Sequence, residues 1–341
     1  MLKTRLLSSR LAALCLLALT LAGCAGTPLV RPEPDHFTVA EGAEGRRFRT
    51  HDNLTLFGQW WEPNIRHPRG VVLLVHGTGQ HSGFYAPWAN ELTAHGYAVF
   101  GIDLRGWGQS QGYGRRGYVG NYDEYVDDLE LAFREVHYRY PAVPLFVEGD
   151  SLGGDVALLA NLSERFPMAG LVLHAPAVQP NPGMGWLRVG GVSVTSVATI
   201  GRISPNAPLL PIMSAFARMA FFDETTRQRF VDDPLCVHDA LPAAYVIAMN
   251  DASERIEKNL VNIRTPLLVL HGTQDNLVPL SSSQLLMKEA GSEDKTLDVY
   301  EGGSHASLSD AGYDKVWSDV VIWLNAHTRP PAPPVTASTT P

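Results

Sequence analysis

The 341-residue sequence is poor in cysteine, with only Cys15, Cys24 and Cys236, so a disulfide-stapled scaffold is excluded and stability has to come from packing. Charged residues are scarce, at 18%, against 45% apolar ones, a balance that suits a globular core and excludes a disordered or fibrous chain. There is no surplus of positive charge: the formal net charge is −8, which argues against a nucleic-acid partner. The longest N-terminal apolar run, Leu11 to Ala22, falls short of the ~20 residues that a spanning helix needs. No H-E-x-x-H or comparable metal spacing occurs, no repeat recurs at periods of about 20 to 50 residues, and no metal or cofactor is expected. Between Val178 and Phe222 there is not one Asp or Glu.

What is present begins with a basic start (Lys3, Arg5, Arg10), the short apolar run and small residues, the pattern of an export signal. Its end, Leu21-Ala22-Gly23-Cys24, resembles the bacterial lipobox. That resemblance implies removal of residues 1–23, a lipid on Cys24 and a net charge falling to about −11 as three cations leave. Ala25 beside the lipidated position implies outer-membrane sorting in a two-membrane host, so a lipid-anchored envelope protein facing the periplasm is expected. Residues 24–45 mix Pro, Glu, Arg and Gly without periodicity and read as a flexible tether; residues 329–341 are Pro/Thr-rich and read as a disordered tail.

Between these ends strands alternate with helices. F-R-T-H-D-N-L-T-L-F-G-Q-W-W predicts a hairpin turning at Asp52-Asn53, and short apolar runs at Val71 to Val75, Tyr97 to Ile102, Pro144 to Val147, Gly170 to Leu173 and Leu267 to Leu270 predict buried parallel strands. Asn121 to Tyr140 has apolar positions at three-to-four spacing, with Asn121 and Glu124 placed as a capping box. The fold class is therefore α/β, a mostly parallel central sheet flanked by helices, with a core of residues 46–177 and 263–328. Residues 178–262 break the alternation and read as an inserted helical lid. Its Trp186, Leu187, Leu209, Leu210, Ile212, Met213, Phe216, Met219 and Phe221, with Arg188, Arg202 and Arg218 as the only charges of its first half, make either a surface for lipid or acyl chains or the core of the lid itself.

The stretch E-G-D-S-L-G-G-D, Glu148 to Asp155, holds two serine-hydrolase signatures on one serine. Gly-Asp-Ser-Leu hydrolases place that block near the start of the domain and keep an Asp-x-x-His near the end, and neither condition is met. Under the Gly-x-Ser-x-Gly reading, P-L-F-V-E is a strand, Gly149 to Gly153 a sharp turn, and the following residues a helix, so Ser151 sits at an exposed elbow. A serine hydroxyl needs a histidine base, and that base needs a carboxylate to fix its tautomer. In the order Ser, acid, His, Asp275 in L-L-V-L-H-G-T-Q-D and His305 in T-L-D-V-Y-E-G-G-S-H are the candidates, each in a loop leaving the carboxyl end of a strand. His271 and His174 read as structural, and Asp232 and Asp233 as parts of the lid. The N–H groups of Thr78 and Leu152 are the candidate oxyanion donors, with His76 bracing that loop and His81 in solvent contact. Gly112 to Gly117 matches G-x-G-x-x-G but lacks the strand and helix that a dinucleotide site requires.

With H-G-T-G-Q-H-S-G-F-Y, D-L-R-G-W-G-Q-S-Q-G and R-R-G-Y-V beside these residues, the chain from about Arg47 to Asn325 resembles the monoacylglycerol lipase and lysophospholipase group of α/β-hydrolases, related to serine aminopeptidases. The resemblance implies an α/β-hydrolase fold, Ser151 as nucleophile, His305 as base, Asp275 as its orienting acid and a small lipid ester as substrate. Asp150 and Asp155 depart from that group, which usually has His or Glu before its serine and a small apolar residue after the second glycine. A peptidase or amidase on the same scaffold, and a non-catalytic envelope lipoprotein that keeps the fold for binding, remain as alternatives; dehalogenase chemistry would want a carboxylate where Ser151 stands.

Overall fold

The computed structural model describes residues 29–179, 204–208, 213–310 and 313–328. The signal segment, Cys24, the 329–341 tail, and Trp186, Leu187, Arg188, Arg202, Leu209, Leu210 and Ile212 lie outside them.

Eight strands form one sheet in the order β1-β2-β4-β3-β5-β6-β7-β8. The hairpin comprises β1 (Ala43–Arg49) and β2 (Thr55–Trp61), antiparallel, with Asn53 at φ 64 in its turn. β2 pairs antiparallel with β4 (Ala98–Ile102), and from there the sheet is parallel through β3 (Val71–Val75), β5 (Leu145–Asp150), β6 (Gly170–His174), β7 (Leu267–Gly272) and β8 (Lys295–Tyr300). Every residue of β3, β4, β6 and β7 is buried, which is why these strands are written almost entirely in Val, Leu, Ile, Phe and Ala rather than in alternation. The edge strand β1 carries Glu44, Arg46, Arg47 and Arg49, charges that discourage pairing with another chain.

β5 and β7 run beyond their apolar runs because their last residues are polar groups with buried partners. Glu148, 1% exposed, accepts hydrogen bonds from Trp88 Nε1 at 3.0 Å and stands 2.8 Å from His174 Nε2. Such pairing is what lets a carboxylate sit in the middle of a core.

The chain leaves β3 toward β4 on one side and returns to build β5 to β8 on the other. This switch point opens a crevice beyond the carboxyl ends of β3 and β5, where ligands of open α/β sheets bind. Helices α1 (Ala86–Ala94), α2 (Asp123–Arg139), α3 (Leu152–Leu162), α4 (Met213–Ala220), α5 (Glu224–Asp232), α6 (Ala243–Glu257), α7 (Leu280–Glu289) and α8 (Tyr313–His327), with short 3₁₀ turns at Ser82–Tyr85 and Leu260–Asn262, complete the described elements. Three of them, α4 to α6, lie within residues 178–262, between β6 and β7. Trp88 of α1 meets Trp317 of α8 at 5.3 Å between ring centroids.

The capping box at α2 is half present. Asn121 Oδ1 accepts from the N–H of Asp123 at 2.9 Å and of Glu124 at 3.3 Å, but the Glu124 carboxylate turns to Arg105 Nη1 at 3.0 Å instead of reaching back. Arg105 is 2% exposed, forms two 2.6 Å hydrogen bonds with Asp128 and a 3.0 Å one with Asp52, and so ties the hairpin turn, the loop after β4 and α2 into one unit. A buried guanidinium is tolerated there because the whole fork is satisfied by carboxylates.

The flexible tether expected for residues 24–45 is corrected over its described part. Arg31 N donates to Gly112 O at 2.9 Å, Ala40 N to Gln59 Oε1 at 2.9 Å, and Gln109 Nε2 to Thr38 O at 2.7 Å, while Val30 bridges Tyr113. Absence of periodicity was no guide here, because this segment is held by individual hydrogen bonds to loops and to β2 and by isolated apolar contacts such as Phe37 on Phe57, at 5.4 Å between ring centroids, rather than by a regular apolar face.

Candidate active site

Ser151 occupies the turn between β5 and α3 with φ 51 and ψ −110, a conformation that L side chains avoid and that costs of order 1–3 kcal/mol. The surroundings hold it. Ser151 N donates to His174 O at 2.9 Å, and the N–H groups of Gly154 and Asp155 donate to Ser151 O at 2.9 and 3.2 Å. A Cβ on Gly149 would lie 2.3 Å from Gly153 O, and one on Gly153 would lie 2.0 Å from Val75 O, so both glycines of the motif are required by close backbone approach. Among the described residues the Ser151 hydroxyl has no hydrogen-bond partner.

His305 and Asp275 meet as the chain order predicts. His305 Nδ1 is 2.7 Å from Asp275 Oδ2, and the other carboxylate oxygen accepts from the N–H groups of Leu277 at 2.7 Å and Val278 at 2.9 Å. Burial would raise the Asp275 carboxyl, but the adjacent His305 charge and hydrogen bond, with the Val278 N–H, hold it below the usual carboxylate range. For His305, burial lowers the imidazole while Asp275, then Asp150 and Asp155, raise it, and the net displacement is upward. The ionised carboxylate places the proton on Nδ1, leaving His305 Nε2, buried and without a partner among the described residues, as the basic nitrogen. The imidazole is within electrostatic reach of Asp150 and Asp155, the residue just before Ser151 and the one four after it.

His271 and His174 are structural, as read from sequence. His271 places Nδ1 2.7 Å from Ser283 Oγ and Nε2 3.1 Å from Val278 O; the latter nitrogen also lies 3.4 Å from Asp275.

The loop after β3 carries Thr78 to the same place. A Cβ on Gly77 would sit 3.3 Å from Asp150 Oδ2, so this loop touches the elbow. The Tyr85 hydroxyl accepts from Gly77 N at 3.1 Å and lies 2.5 Å from Asp150 Oδ2, joining the two segments. Leu152 opens α3, where the first N–H groups have no acceptor within the helix and point outward. The departures at Asp150 and Asp155 are buried carboxyls, both raised chiefly by burial, Asp155 to about 7, with Asp155 accepting from Ala177 N at 2.9 Å.

The sequence reading of His81 needs correction. It is not in solvent contact but buried, with Nε2 2.9 Å from Asp233 Oδ2 and Nδ1 accepting from Gly83 N at 3.2 Å; His76 does brace the loop, accepting from Leu104 N at 3.0 Å. Asp233 and Val237, whose N–H donates to Gly79 O at 2.8 Å, thereby fasten the segment after α5 to the loop after β3. His81, Asp233 and Cys236 bring possible metal-ligand atoms within 4.8 Å of one another. Here the His81 Nε2 pairs with Asp233, and the Arg116 guanidinium donates to Leu235 O at 2.8 Å within the same turn. Gly112 to Gly117 is a loop in which no helix starts at Gly117, as expected. Tyr85 and Tyr245, which contacts Thr78, were missed; Tyr85 lies inside the H-G-T-G-Q-H-S-G-F-Y motif, whereas Tyr245 has no local signal.

A family model described as serine aminopeptidase, S33, matches residues 66–312. The monoacylglycerol lipase of Mycolicibacterium smegmatis is 30% identical over 267 residues, 78% of this chain and 91% of its own length. Human monoglyceride lipase is 30% identical over 279 residues, 81% of this chain and 89% of its own. The solved structure of the Paleococcus ferrophilus monoacylglycerol lipase superposes with a TM-score of 0.65 at 27% identity, covering 80% of this chain and 99% of that one. A strained serine elbow at the switch point of this sheet, in a chain with these relatives, makes the protein a serine ester hydrolase that belongs to the serine aminopeptidase S33 family of α/β-hydrolases, in its monoacylglycerol-lipase-like group.

Proposed function

We propose that Ser151, His305 and Asp275 act as nucleophile, general base and orienting acid in hydrolysis of monoacylglycerol-like or lysophospholipid-like esters. The observation that carries this is the 2.7 Å pairing of His305 Nδ1 with a buried, ionised Asp275, which leaves His305 Nε2 without a partner among the described residues and available as a base. Ser151 Oγ attacks the ester carbonyl as His305 Nε2 takes its proton. The carbonyl electron pair moves onto oxygen, where the N–H groups of Thr78 and Leu152 receive it. Collapse expels the alcohol, protonated by His305, and water then releases the acyl group by the same steps.

The lipid-ester assignment draws on the relatives named monoacylglycerol and monoglyceride lipase. The family description favours a second reading, a peptidase releasing an N-terminal residue. Parallel assays of monoacylglycerols, lysophosphatidylcholine and amino-acid anilides separate them: at least about tenfold higher kcat/KM on the esters is expected, and a preference for the anilides would reverse the assignment. Attachment to the envelope through a lipid on Cys24 is the companion proposal, supported by the Leu21 to Cys24 pattern. Cys24→Ser should move the protein from the membrane to the soluble fraction; unchanged membrane recovery would remove that idea.

A further inference from the structure

The backbone N–H of Thr78 belongs to the reading above; its side chain does not. The Thr78 hydroxyl lies 2.5 Å from that of Tyr245, both buried, across 167 residues of sequence. Tyr245 stands on α6, in the insertion, with its ring edge-on to Trp107 at 5.4 Å and tilted against Tyr122 at 6.5 Å, so the phenol has no room to swing. A phenol, with an ordinary pKa near ~10, is much the better donor to an alcohol than the reverse. The position lets either hydroxyl donate; the acidity difference favours Tyr245 as donor and Thr78 Oγ1 as acceptor, and burial, which pushes Tyr245 up to about 12, keeps that donor protonated at working pH. With that polarity the Thr78 hydroxyl proton points away from Tyr245. Thr78 follows Gly77, whose Cβ position is 3.4 Å from Asp150 O, and the end of β3 just before it is in contact with Gly153, so the chain leading to Thr78 lies against the residues that bracket Ser151 in sequence.

We propose that the Thr78 hydroxyl is a third donor to the oxyanion of the tetrahedral intermediate, beside the two backbone N–H groups, and that Tyr245 is the residue that positions it. The inference rests on Ser151 being the nucleophile. The hydrogen bond strengthens as the Ser151 Oγ–carbon bond forms and the carbonyl pair moves onto oxygen, and weakens on collapse, so it acts on the transition state more than on bound ester. It also makes the insertion part of the catalytic machinery: α6 must be docked for Thr78 to be aimed.

Thr78→Val removes the hydroxyl and keeps the backbone donor. On a 4-nitrophenyl ester its kcat should fall about 10- to 100-fold with KM within about threefold, Thr78→Ser should recover most of the rate, and Tyr245→Phe should lose about 3- to 10-fold. Because Tyr245 acts through Thr78, the Thr78→Val, Tyr245→Phe double variant should be no slower than Thr78→Val alone. Thr78→Ala serves if the valine variant does not fold, as judged by its thermal midpoint. A folded Thr78→Val or Thr78→Ala enzyme within about twofold of wild-type kcat, or losses that multiply in the double variant, would overturn the proposal. A Ser151→Ala control tells which layer failed: turnover above about a hundredth of the wild-type rate there removes the nucleophile assignment and this inference together, whereas a control below that level beside an unimpaired Thr78 variant removes only the hydroxyl.

Discussion

Ser151→Ala is expected to lower kcat/KM on esters by roughly 10⁴- to 10⁶-fold, the loss seen when a triad nucleophile is deleted and only binding and oxyanion stabilisation remain. The structure makes this a clean substitution. The Ser151 hydroxyl has no hydrogen bond to lose among the described residues, its backbone is held by His174 O, Gly154 N and Asp155 N, and alanine carries the same positive-φ strain as serine. The thermal midpoint should therefore stay close to wild type while labelling by a fluorophosphonate probe disappears. Retention of more than about a hundredth of the wild-type rate by a folded, probe-silent variant would show that the chemistry lies elsewhere.

Asp275→Asn should reduce kcat by about 10⁴-fold, and for a reason that can be read from the hydrogen bonds. The oxygen of an asparagine can still accept from Leu277 and Val278, so the loop keeps its shape, but the amide then faces His305 Nδ1 with an N–H donor. The neutral imidazole must turn its proton to Nε2 and ceases to be a base toward Ser151. The pH profile carries the second signature. In the wild type His305 titrates above the ordinary histidine value, so the active, neutral base appears only as pH rises through that raised value, and activity is lost on the acid side. Without the Asp275 charge, burial is left opposed by Asp150 and Asp155 alone, and the acid limb should move to lower pH while the plateau collapses. A variant whose rate drops without movement of that limb would mean that Asp275 does not face the base in solution.

Much of this was legible in the residues. Val71 to Val75 had to be a buried strand because five consecutive branched or aliphatic residues have no polar side to show water. Gly-Asp-Ser-Leu-Gly had to be an elbow because only glycine permits the 2.0 Å approach of a Cβ position at residue 153 to Val75 O. Asp275 and His305 followed from the order of strands. By contrast, the docking of residues 29–42, the burial of His81 on Asp233, the Tyr85 link from Gly77 to Asp150, and the Thr78 to Tyr245 bond left no periodic trace. These are polar contacts, most of them between residues 65 to 167 apart in the chain, and spacing rules describe neighbours along one element only.

The chain by itself therefore determined which residues line each strand, where the sharp turn falls and which serine, acid and histidine are the candidates, since local sterics and burial act over a few residues. Tertiary structure alone decided how His305 is tuned, what holds the loop after β3 and that the segment between β6 and β7 touches it. Those properties depend on electrostatic and hydrogen-bond partners that become neighbours only when the sheet is assembled and water has been driven from between them.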